Sequence, residues 1–174
     1  VTRLEQLSSL IHLTSSEIEG IRSAGGKLAM AITPYFASLM DSNDPSCPIR
    51  RQAIPTRNES IVSPSDLVDP CGEDSHAPVP GLVHRYPDRV LLIVTDKCAM
   101  YCRYCTRRRQ VGRRENHISS ENLENAFRYI QSHREIRDVL ISGGDPLLME
   151  QSKLEAILSR LRAINHVEIL RIGT

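Results

Sequence analysis

Residues 90–105 read VLLIVTDKCAMYCRYC, an apolar run followed by three cysteines at the spacing Cys-x3-Cys-x2-Cys. A short apolar run rich in branched residues is typical of a strand that is buried on both faces. The next residues carry Cys98, Cys102 and Cys105. Three thiolates can hold three irons of a cubane cluster, so the fourth iron is left open to coordinate a small molecule and pass it an electron. The stretch therefore predicts a buried strand that leads into a reactive iron–sulfur loop, and this indicates an enzyme.

Cysteines can also bind structural zinc or form disulfides, and each use would indicate a different class of protein. Structural zinc usually takes four ligands, so the triple is one ligand short. His117 could supply the fourth, and a zinc-binding structural module therefore stays open as an alternative. A disulfide framework is not expected, because five cysteines is an odd number and the chain is not of the small, cysteine-dense type. We expect Cys47 and Cys71 to be ordinary reduced thiols.

Length and charge exclude several classes. A chain of 174 residues can bury about 70% of its unfolded surface in one sizeable core. No apolar run approaches the roughly 18 to 20 residues that span a bilayer. A net charge of +1 gives no overall attraction to nucleic acid or to anionic lipid. We therefore expect a cytoplasmic protein with no membrane or nucleic-acid partner. Because the chain begins with Val1 and ends soon after an apolar run, we also expect a fragment.

The composition predicts two regions, 1–88 and 89–174. In the first region Thr14-Ser15-Ser16-Glu17 is a capping box, and Thr33-Pro34 is a cap followed by proline, so short helices are expected. Residues 41–88 contain eight of the ten prolines and little periodicity. This composition predicts a long extended segment that lies over a scaffold.

The second region predicts the order β-α-β-α-β. Its strands are residues 90–95, 139–141 and 167–172, separated by two amphipathic helices, the second opened by a capping box at Ser152. The predicted helix stripes are Leu123, Ala126, Phe127 and Ile130, and Leu154, Ile157, Leu158 and Leu161. Such alternation implies a parallel sheet with right-handed crossovers, either doubly wound or part of a (β/α) barrel.

In both architectures, ligands collect at the carboxyl ends of the strands. The cysteine triple follows the first of these strands, and the turn Ser142-Gly143-Gly144-Asp145 follows the second, so both lie at one edge. Two glycines allow positive φ or close approach of the backbone to a ligand, and Asp145 offers an acceptor for an ammonium group. An ordinary tight turn is the alternative for this motif.

These motifs together resemble the lysine 2,3-aminomutase family of radical S-adenosylmethionine enzymes. The resemblance rests on the cysteine loop, on the Gly-Gly-Asp turn and on four further stretches; these are Thr33-Pro34-Tyr35, Pro48-Ile49-Arg50, Val79-Pro80-Gly81-Leu82 and residues 84–90. It extends from about Ile32 to Thr174. It implies an α/β fold, namely a partial (β/α) barrel of the radical S-adenosylmethionine type preceded by an α-helical and extended amino-terminal region.

The resemblance also implies three cofactors: a 4Fe-4S cluster, S-adenosylmethionine and pyridoxal 5'-phosphate. Cys98, Cys102 and Cys105 match the cluster ligands. The turn formed by Ser142, Gly143, Gly144 and Asp145 matches the one that meets the amino group of S-adenosylmethionine. Three further residues match positions around pyridoxal phosphate; these are Arg85, Tyr86 and Arg89. Guanidinium groups suit phosphate oxygens, and an aromatic face suits a flat heterocycle. Taken alone, the two arginines would read as solvated residues at a strand entrance.

Five arginines follow within eight residues of one another; these are Arg107, Arg108, Arg109, Arg113 and Arg114. By resemblance, Arg107 is expected to hold the α-carboxylate of the substrate, because bidentate geometry fixes the carbon to be attacked. The other four are expected to be charge balance or exposed surface. A nucleic-acid patch is the lesser interpretation, because the rest of the chain is not basic.

The resemblance implies an isomerase that interconverts L-lysine and L-β-lysine by a 1,2-amino shift. Its expected partners are a small amino-acid substrate and an electron donor such as flavodoxin or ferredoxin, and the full-length protein is expected to be a homo-oligomer. The family's pyridoxal lysine and the carboxylates that read the distal ammonium group fall after Thr174. Glutamate 2,3-aminomutase activity is therefore an alternative of the same class, and the fragment alone is expected to be inactive.

Overall fold

A computed structural model describes residues 1–24, 29–112 and 118–174. The chain forms two compact units. The amino-terminal unit comprises residues 1–70 and 99–112, and the sheet unit comprises residues 71–98 and 113–174. The cysteine loop is therefore part of the amino-terminal unit from Ala99 onward. The predicted division of the sequence after residue 88 stays a prediction.

The amino-terminal unit is built from short helices around a small apolar core. Its helices are α1 (Leu4–Ser8), α2 (Ser15–Ser23), α3 (Pro34–Ser38) and α4 (Pro48–Ala53). The core side chains come from these helices and from the segments between them; they are Leu7, Ile11, Met30, Ile32, Ala37, Met40, Ala53 and Ile54. Helices of this length are marginal alone, so their packing on a common core stabilises them.

Both predicted helix starts in this unit are confirmed. Thr14 caps α2 by accepting a hydrogen bond from the backbone N–H of Glu17 at 3.3 Å, and the Glu17 carboxylate accepts the Thr14 N–H at 2.8 Å. Thr33 caps α3 by accepting from the N–H of Phe36 at 3.1 Å. Local sequence therefore decides where these helices begin.

The prediction of one long extended segment over residues 41–88 is wrong. Pro48 occupies the first turn of α4, where a missing N–H costs nothing because no carbonyl is available to accept it. Residues 57–60 and 74–76 form 3-10 turns, and Leu82–Tyr86 is strand β1. High proline content marked helix starts and turns here rather than a continuous extended chain.

The sheet unit contains four strands in the order β1-β2-β3-β4, with β2 at Arg89–Thr95, β3 at Asp138–Gly143 and β4 at Ile169–Ile172. β2, β3 and β4 pair in parallel, which confirms the predicted mixed α/β fold and is consistent with part of a (β/α) barrel. β1 is an addition: it pairs antiparallel with β2 through a hairpin and forms one edge of the sheet. In the described ranges β4 forms the other edge, and its Ile169 and Ile172 are 38% and 41% exposed.

Two helices connect the parallel strands, α5 (Ser120–Ser132) and α6 (Gln151–Arg162). Both predicted helix stripes face one side of the sheet, where Ala126, Phe127, Ile130, Ile157 and Leu161 are buried. The strand residues on that side are also apolar; they are Leu82, Val90, Leu92, Val94, Val139 and Ile141. This layer is the core of the sheet unit, and it holds the carboxyl ends of the strands in register.

Two predicted boundaries in the sheet unit are wrong. α6 begins at Gln151 after Glu150, and the Ser152 hydroxyl donates to the Glu150 carboxylate at 2.8 Å instead of capping the helix. β4 begins at Ile169, because the Val167 N–H is used by a turn to the carbonyl of Ile164 at 3.0 Å. Throughout the described part of the chain, no helix combines the length and apolarity needed to cross a bilayer.

Candidate functional site

The cysteine loop leaves the carboxyl end of β2. Cys98 ends the segment 71–98 of the sheet unit, while Cys102 and Cys105 belong to the amino-terminal unit. The N–H of Cys105 donates to the carbonyl of Cys102 at 3.1 Å, so these two cysteines close a tight turn. All three thiols are half-buried and form no disulfide. None of the three sulfur atoms is used in a disulfide, and thiolates are ligands that metals bind.

The surroundings of the cysteine loop shift the pKa values of Cys105 and Tyr104. Burial raises the pKa of Cys105, and the nearby charge of Cys102 raises it further. The backbone N–H and the guanidinium group of Arg107 act in the opposite direction but do not outweigh them. A hydrogen bond to Cys102 raises the pKa of the Tyr104 phenol. Because metals bind the thiolate form, loading the loop would release a proton from Cys105.

The cysteine loop offers thiol groups, which are the ligand type that iron–sulfur clusters use. Over residues 1–24, 29–112 and 118–174, no three His, Cys, Asp or Glu side chains are grouped so that they could hold a metal ion. Three thiols within eight residues of sequence could supply soft ligands for three irons, and the cysteine motif contains no fourth thiol. His117, the fourth ligand of the zinc alternative, lies outside the described residues.

The glycine turn after β3 is fixed by the backbone that leads to Cys98. Gly143 has φ of +124°, and a Cβ added there would lie 2.4 Å from the Thr95 carbonyl oxygen. A Cβ on Gly144 would lie 2.3 Å from the Lys97 carbonyl oxygen. Hydrogen bonds join the same atoms, from Gly144 N to Thr95 O and from Asp145 N to Lys97 O, both at 2.7 Å. The predicted positive φ is present, and the close approach is to neighbouring backbone.

Asp145 and Ser142 flank this turn. Asp145 Oδ1 accepts hydrogen bonds from the Leu147 N–H at 3.1 Å and from the Thr174 hydroxyl at 2.6 Å. Among the described residues no hydrogen bond reaches its Oδ2, so this half-buried carboxylate keeps an acceptor for an ammonium group. Ser142 donates its hydroxyl proton to the Gly173 carbonyl at 3.0 Å, which ties β3 to the end of β4.

Gly144→Ala should destabilise the sheet unit. The new methyl group would overlap the Lys97 backbone, which cannot rotate away as a side chain can, so the turn must separate from Lys97. We expect the free energy of unfolding to fall by roughly 1–3 kcal/mol, as for other overpacked sites. Urea denaturation followed by circular dichroism measures this change.

Gly173→Ala is the matched control for this substitution. Its added Cβ would meet side chains and no backbone: the Ser142 hydroxyl at 3.1 Å, which can rotate, and the Leu140 methyl group and Ser142 Cβ, each at 3.4 Å. Equal stability of Gly144→Ala and the wild-type chain would contradict the close approach described here.

The residues predicted to surround pyridoxal phosphate lie at the other end of β2. Tyr86 pairs with Arg89 across the β1–β2 hairpin, six residues before Thr95, which is roughly 20 Å along a strand. Tyr86 is 58% exposed. The Arg85 guanidinium donates to the Cys71 carbonyl at 2.9 Å, and Arg89 forms two hydrogen bonds with the Asp88 carboxylate at 2.8 and 2.9 Å. The structure therefore gathers these three residues together but separates them from the glycine turn.

Arg171 belongs to the same end of the sheet and was missed by the sequence analysis. Its Nε donates to the Asp138 carboxylate at 2.9 Å, and Asp138 pairs directly with Arg89 across β2 and β3. Arg89, Asp138 and Arg171 alternate with the apolar strand residues that face α5 and α6, so they lie on the opposite face of the sheet. The alternation within β4 was the sequence signal that could have identified Arg171.

The arginines after the cysteines are partly held by the amino-terminal unit. Arg107 is half-buried, and its carbonyl accepts from the N–H groups of Gln110 and Val111 at 2.8 and 3.0 Å. Arg109 pairs with Asp69 at 3.3 Å. Arg108 is exposed, as expected of surface charge. Arg113 and Arg114 lie outside the described residues.

Comparison with known families agrees with a reactive cysteine loop on a partial barrel. Residues 92–174, which begin within β2 and include the cysteine loop and the glycine turn, match the family model of the Radical SAM superfamily. This part of the chain is thus similar to radical S-adenosylmethionine domains, and such domains use a 4Fe-4S cluster and S-adenosylmethionine as cofactors.

The chain is also similar in sequence to several curated 2,3-aminomutases. Over all 174 residues the chain is 51% identical to an L-lysine 2,3-aminomutase of Clostridium subterminale, and it covers 42% of that protein. It is also 51% identical to an L-lysine 2,3-aminomutase of Bacillus subtilis, covering 37% of it, and 43% identical to a glutamate 2,3-aminomutase of Clostridioides difficile, covering 41%. The chain spans about two fifths of the length of these curated relatives.

Proposed function

We propose that the chain is part of a 2,3-aminomutase, an isomerase that interconverts L-lysine and L-β-lysine. The observation that carries the proposal is the 51% identity to L-lysine 2,3-aminomutases over all 174 residues, including the cysteine loop of a radical S-adenosylmethionine domain. Lysine is preferred to glutamate as the substrate because the glutamate 2,3-aminomutase is only 43% identical.

Cys98, Cys102 and Cys105 are the proposed ligands of the 4Fe-4S cluster. The cluster, when bound, supplies the electron that cleaves S-adenosylmethionine and so generates a radical. With three thiolates the protein leaves one iron for the amino and carboxylate groups of S-adenosylmethionine. Asp145 is the proposed acceptor for that amino group, because its Oδ2 has no hydrogen-bond partner among the described residues. The N–H groups of Gly144 and Asp145 donate to the carbonyls of Thr95 and Lys97, and these bonds fix Asp145 against the backbone before Cys98.

Pyridoxal 5'-phosphate is the proposed third cofactor. Support for it comes from the exposed ring of Tyr86, which pairs with Arg89 across the hairpin, and from the adjacent Arg85; an aromatic face and guanidinium groups suit a flat, phosphorylated heterocycle. The phosphate would compete with Asp88 for Arg89 and with the Cys71 carbonyl for Arg85. Arg171 adds positive charge on the same face as Arg89.

Arg107 is the proposed partner of the substrate α-carboxylate. Its two parallel N–H groups would fix the orientation of the amino acid. Correct orientation of the reacting carbon lowers the barrier of the reaction, which binding energy alone does not do. The remaining proposed features belong to the whole protein: a flavodoxin or ferredoxin as electron donor, a homo-oligomeric state and a cytoplasmic location.

Spectroscopy of the reconstituted chain tests the proposal. After anaerobic loading with iron and sulfide and reduction with dithionite, the chain should show the EPR signal of a reduced 4Fe-4S cluster. S-adenosylmethionine should change that signal, because it binds the open iron. Stoichiometric zinc without an iron–sulfur chromophore would instead support the zinc-binding module. For the full-length protein, 5'-deoxyadenosine formed with L-lysine but not with L-glutamate would support the substrate assignment.

A further inference from the structure

Arg103 lies inside the cysteine motif, between Cys102 and Cys105, but its side chain is not directed to solvent. The Arg103 side chain is only 7% exposed. Its Nε donates to Glu59 Oε1 at 2.9 Å and its Nη2 donates to Glu59 Oε2 at 2.6 Å, a two-point contact between guanidinium and carboxylate. A surface arginine in a solvated loop gains little from such a pair, whereas a buried, two-point pair fixes both side chains.

Backbone contacts hold the same residue from a second direction. The Arg103 N–H donates to the Gln52 carbonyl at 2.8 Å, and the Arg103 Nη1 donates to the Ala29 carbonyl at 3.2 Å. Two residues earlier, the Tyr101 N–H donates to the Ala31 carbonyl at 3.0 Å. The loop is therefore tied to three separate segments that precede it in sequence by 44 to 74 residues.

The two ends of the loop are also joined. The ring of Tyr101 lies against Gly112, where an added Cβ would meet its hydroxyl at 2.7 Å, and Gly112 has φ of +75°. Arg109 pairs with Asp69 between these ends. Arg103 thus has the largest set of contacts described for this loop, and it is one of the two residues between Cys102 and Cys105.

We propose that Arg103, held by Glu59, is a positioning residue that keeps Cys102 and Cys105 in place for the iron–sulfur cluster. The inference rests on the proposed function of the cysteines. Fixing Arg103 at both its backbone and its side chain restricts the neighbouring Cα atoms, so the loop loses less freedom when the cluster binds. The charge of Glu59 also balances the cation that lies next to two cluster ligands.

The test uses the reconstituted 174-residue chain with three variants, Arg103→Gln, Glu59→Gln and the double variant. Each single variant should release iron to a chelator roughly 10-fold faster than the wild-type chain, as expected when a group that orients a metal ligand is lost. The double variant should be no faster than the single variants, because both remove one interaction. Arg160→Gln is the matched control: it removes an exposed two-point pair with Glu124 in the sheet unit and should leave iron release unchanged.

The reduction potential separates positioning from general loss of stability. Arg103→Gln leaves the negative charge of Glu59 near the cluster and should lower its potential, whereas Glu59→Gln leaves a cation and should raise it. A merely unstable loop would not shift the potential in opposite directions. If Arg103→Gln does not fold, Glu59→Asp shortens the side chain by one methylene, which pulls the carboxylate away from Arg103 while it keeps the charge, and it should also accelerate iron release.

The outcomes are distinguishable. A wild-type chain that takes up no cluster sensitive to S-adenosylmethionine contradicts the proposed function itself. A wild-type chain that takes up the cluster, together with variants that keep their iron and potential, overturns the role of Arg103 alone. Glu17→Gln weakens the amino-terminal unit at a different ion pair. The role of Arg103 is also overturned if Glu17→Gln accelerates iron release as much as Arg103→Gln does at an equal fall in melting temperature.

Discussion

Cys102→Ser should abolish the iron–sulfur chromophore of the reconstituted chain. Cys102 contributes one of three soft ligands, and a hydroxyl at its place neither ionises at neutral pH nor matches the preference of iron–sulfur clusters for thiolate. With two thiolates left, two irons of a cubane would lack protein ligands. We expect the iron content to fall to that of protein that was never reconstituted, as measured by iron and sulfide assays and by visible absorption.

Cys71→Ser provides the matched control for this substitution. Cys71 is half-buried, like Cys102, but it lies outside the cysteine loop and contributes its carbonyl, not its thiol, to the contact with Arg85. The control should therefore keep the full chromophore. Equal iron content in Cys71→Ser and Cys102→Ser would show that the loop is not the cluster site.

Glu17→Gln should cause the largest loss of stability in the amino-terminal unit. The Arg50 side chain is fully buried, and its guanidinium donates to both oxygens of Glu17 at 2.8 and 2.7 Å. The neutral amide keeps the shape of Glu17 but leaves a buried cation without its counter-charge. Removing one partner of a buried pair typically costs about 3–5 kcal/mol of unfolding free energy. Urea denaturation, with the exposed pair variant Glu124→Gln as a control, measures the loss.

The same pair predicts how stability changes with pH. Burial alone would raise the pKa of Glu17, but hydrogen bonds from Arg50 and Thr14 outweigh it and hold the pKa below its ordinary value. A carboxylate with a lowered pKa in the folded state stabilises the fold above its unfolded pKa, and this stabilisation is lost as the pH falls through the folded value. The wild-type unit should therefore weaken in acid, while Glu17→Gln should show a flatter profile. Parallel acid profiles of the two proteins would contradict this assignment.

Much of the sheet unit could be predicted from sequence because its signals are local and repeated. The apolar run of β2, the stripe of α5 and the run of β3 each bury a continuous face, so periodicity identified them. β1 was not predicted, because its residues do not alternate: Leu82 and Val83 are both buried, and Arg85 and Tyr86 are both exposed, beside a turn rich in charge. Its pairing with β2 is a contact between strands that no single window contains.

The cysteines and glycines of the candidate site could be predicted from sequence, but the residues that contact the cysteine loop could not. The spacing of Cys98, Cys102 and Cys105 is visible within eight residues, since the chemistry itself needs them close together. Glu59 and Gln52 lie more than forty residues from Arg103 in sequence, so the cysteine motif does not predict that they contact it. Long-range partners of this kind follow from the packing of the unit, which composition and periodicity do not describe.

Among the described residues no strand pairs with the outer side of β4, and this has a practical consequence for handling the 174-residue chain. A strand at the margin of a sheet offers a row of unmatched amide and carbonyl groups, and the aliphatic side chains of Ile169 and Ile172 make that row attractive to other chains. Arg171 supplies the single charge within this strand that opposes such pairing. Dilute solutions will therefore favour monodisperse preparations, while concentrated samples will tend to self-associate through this margin.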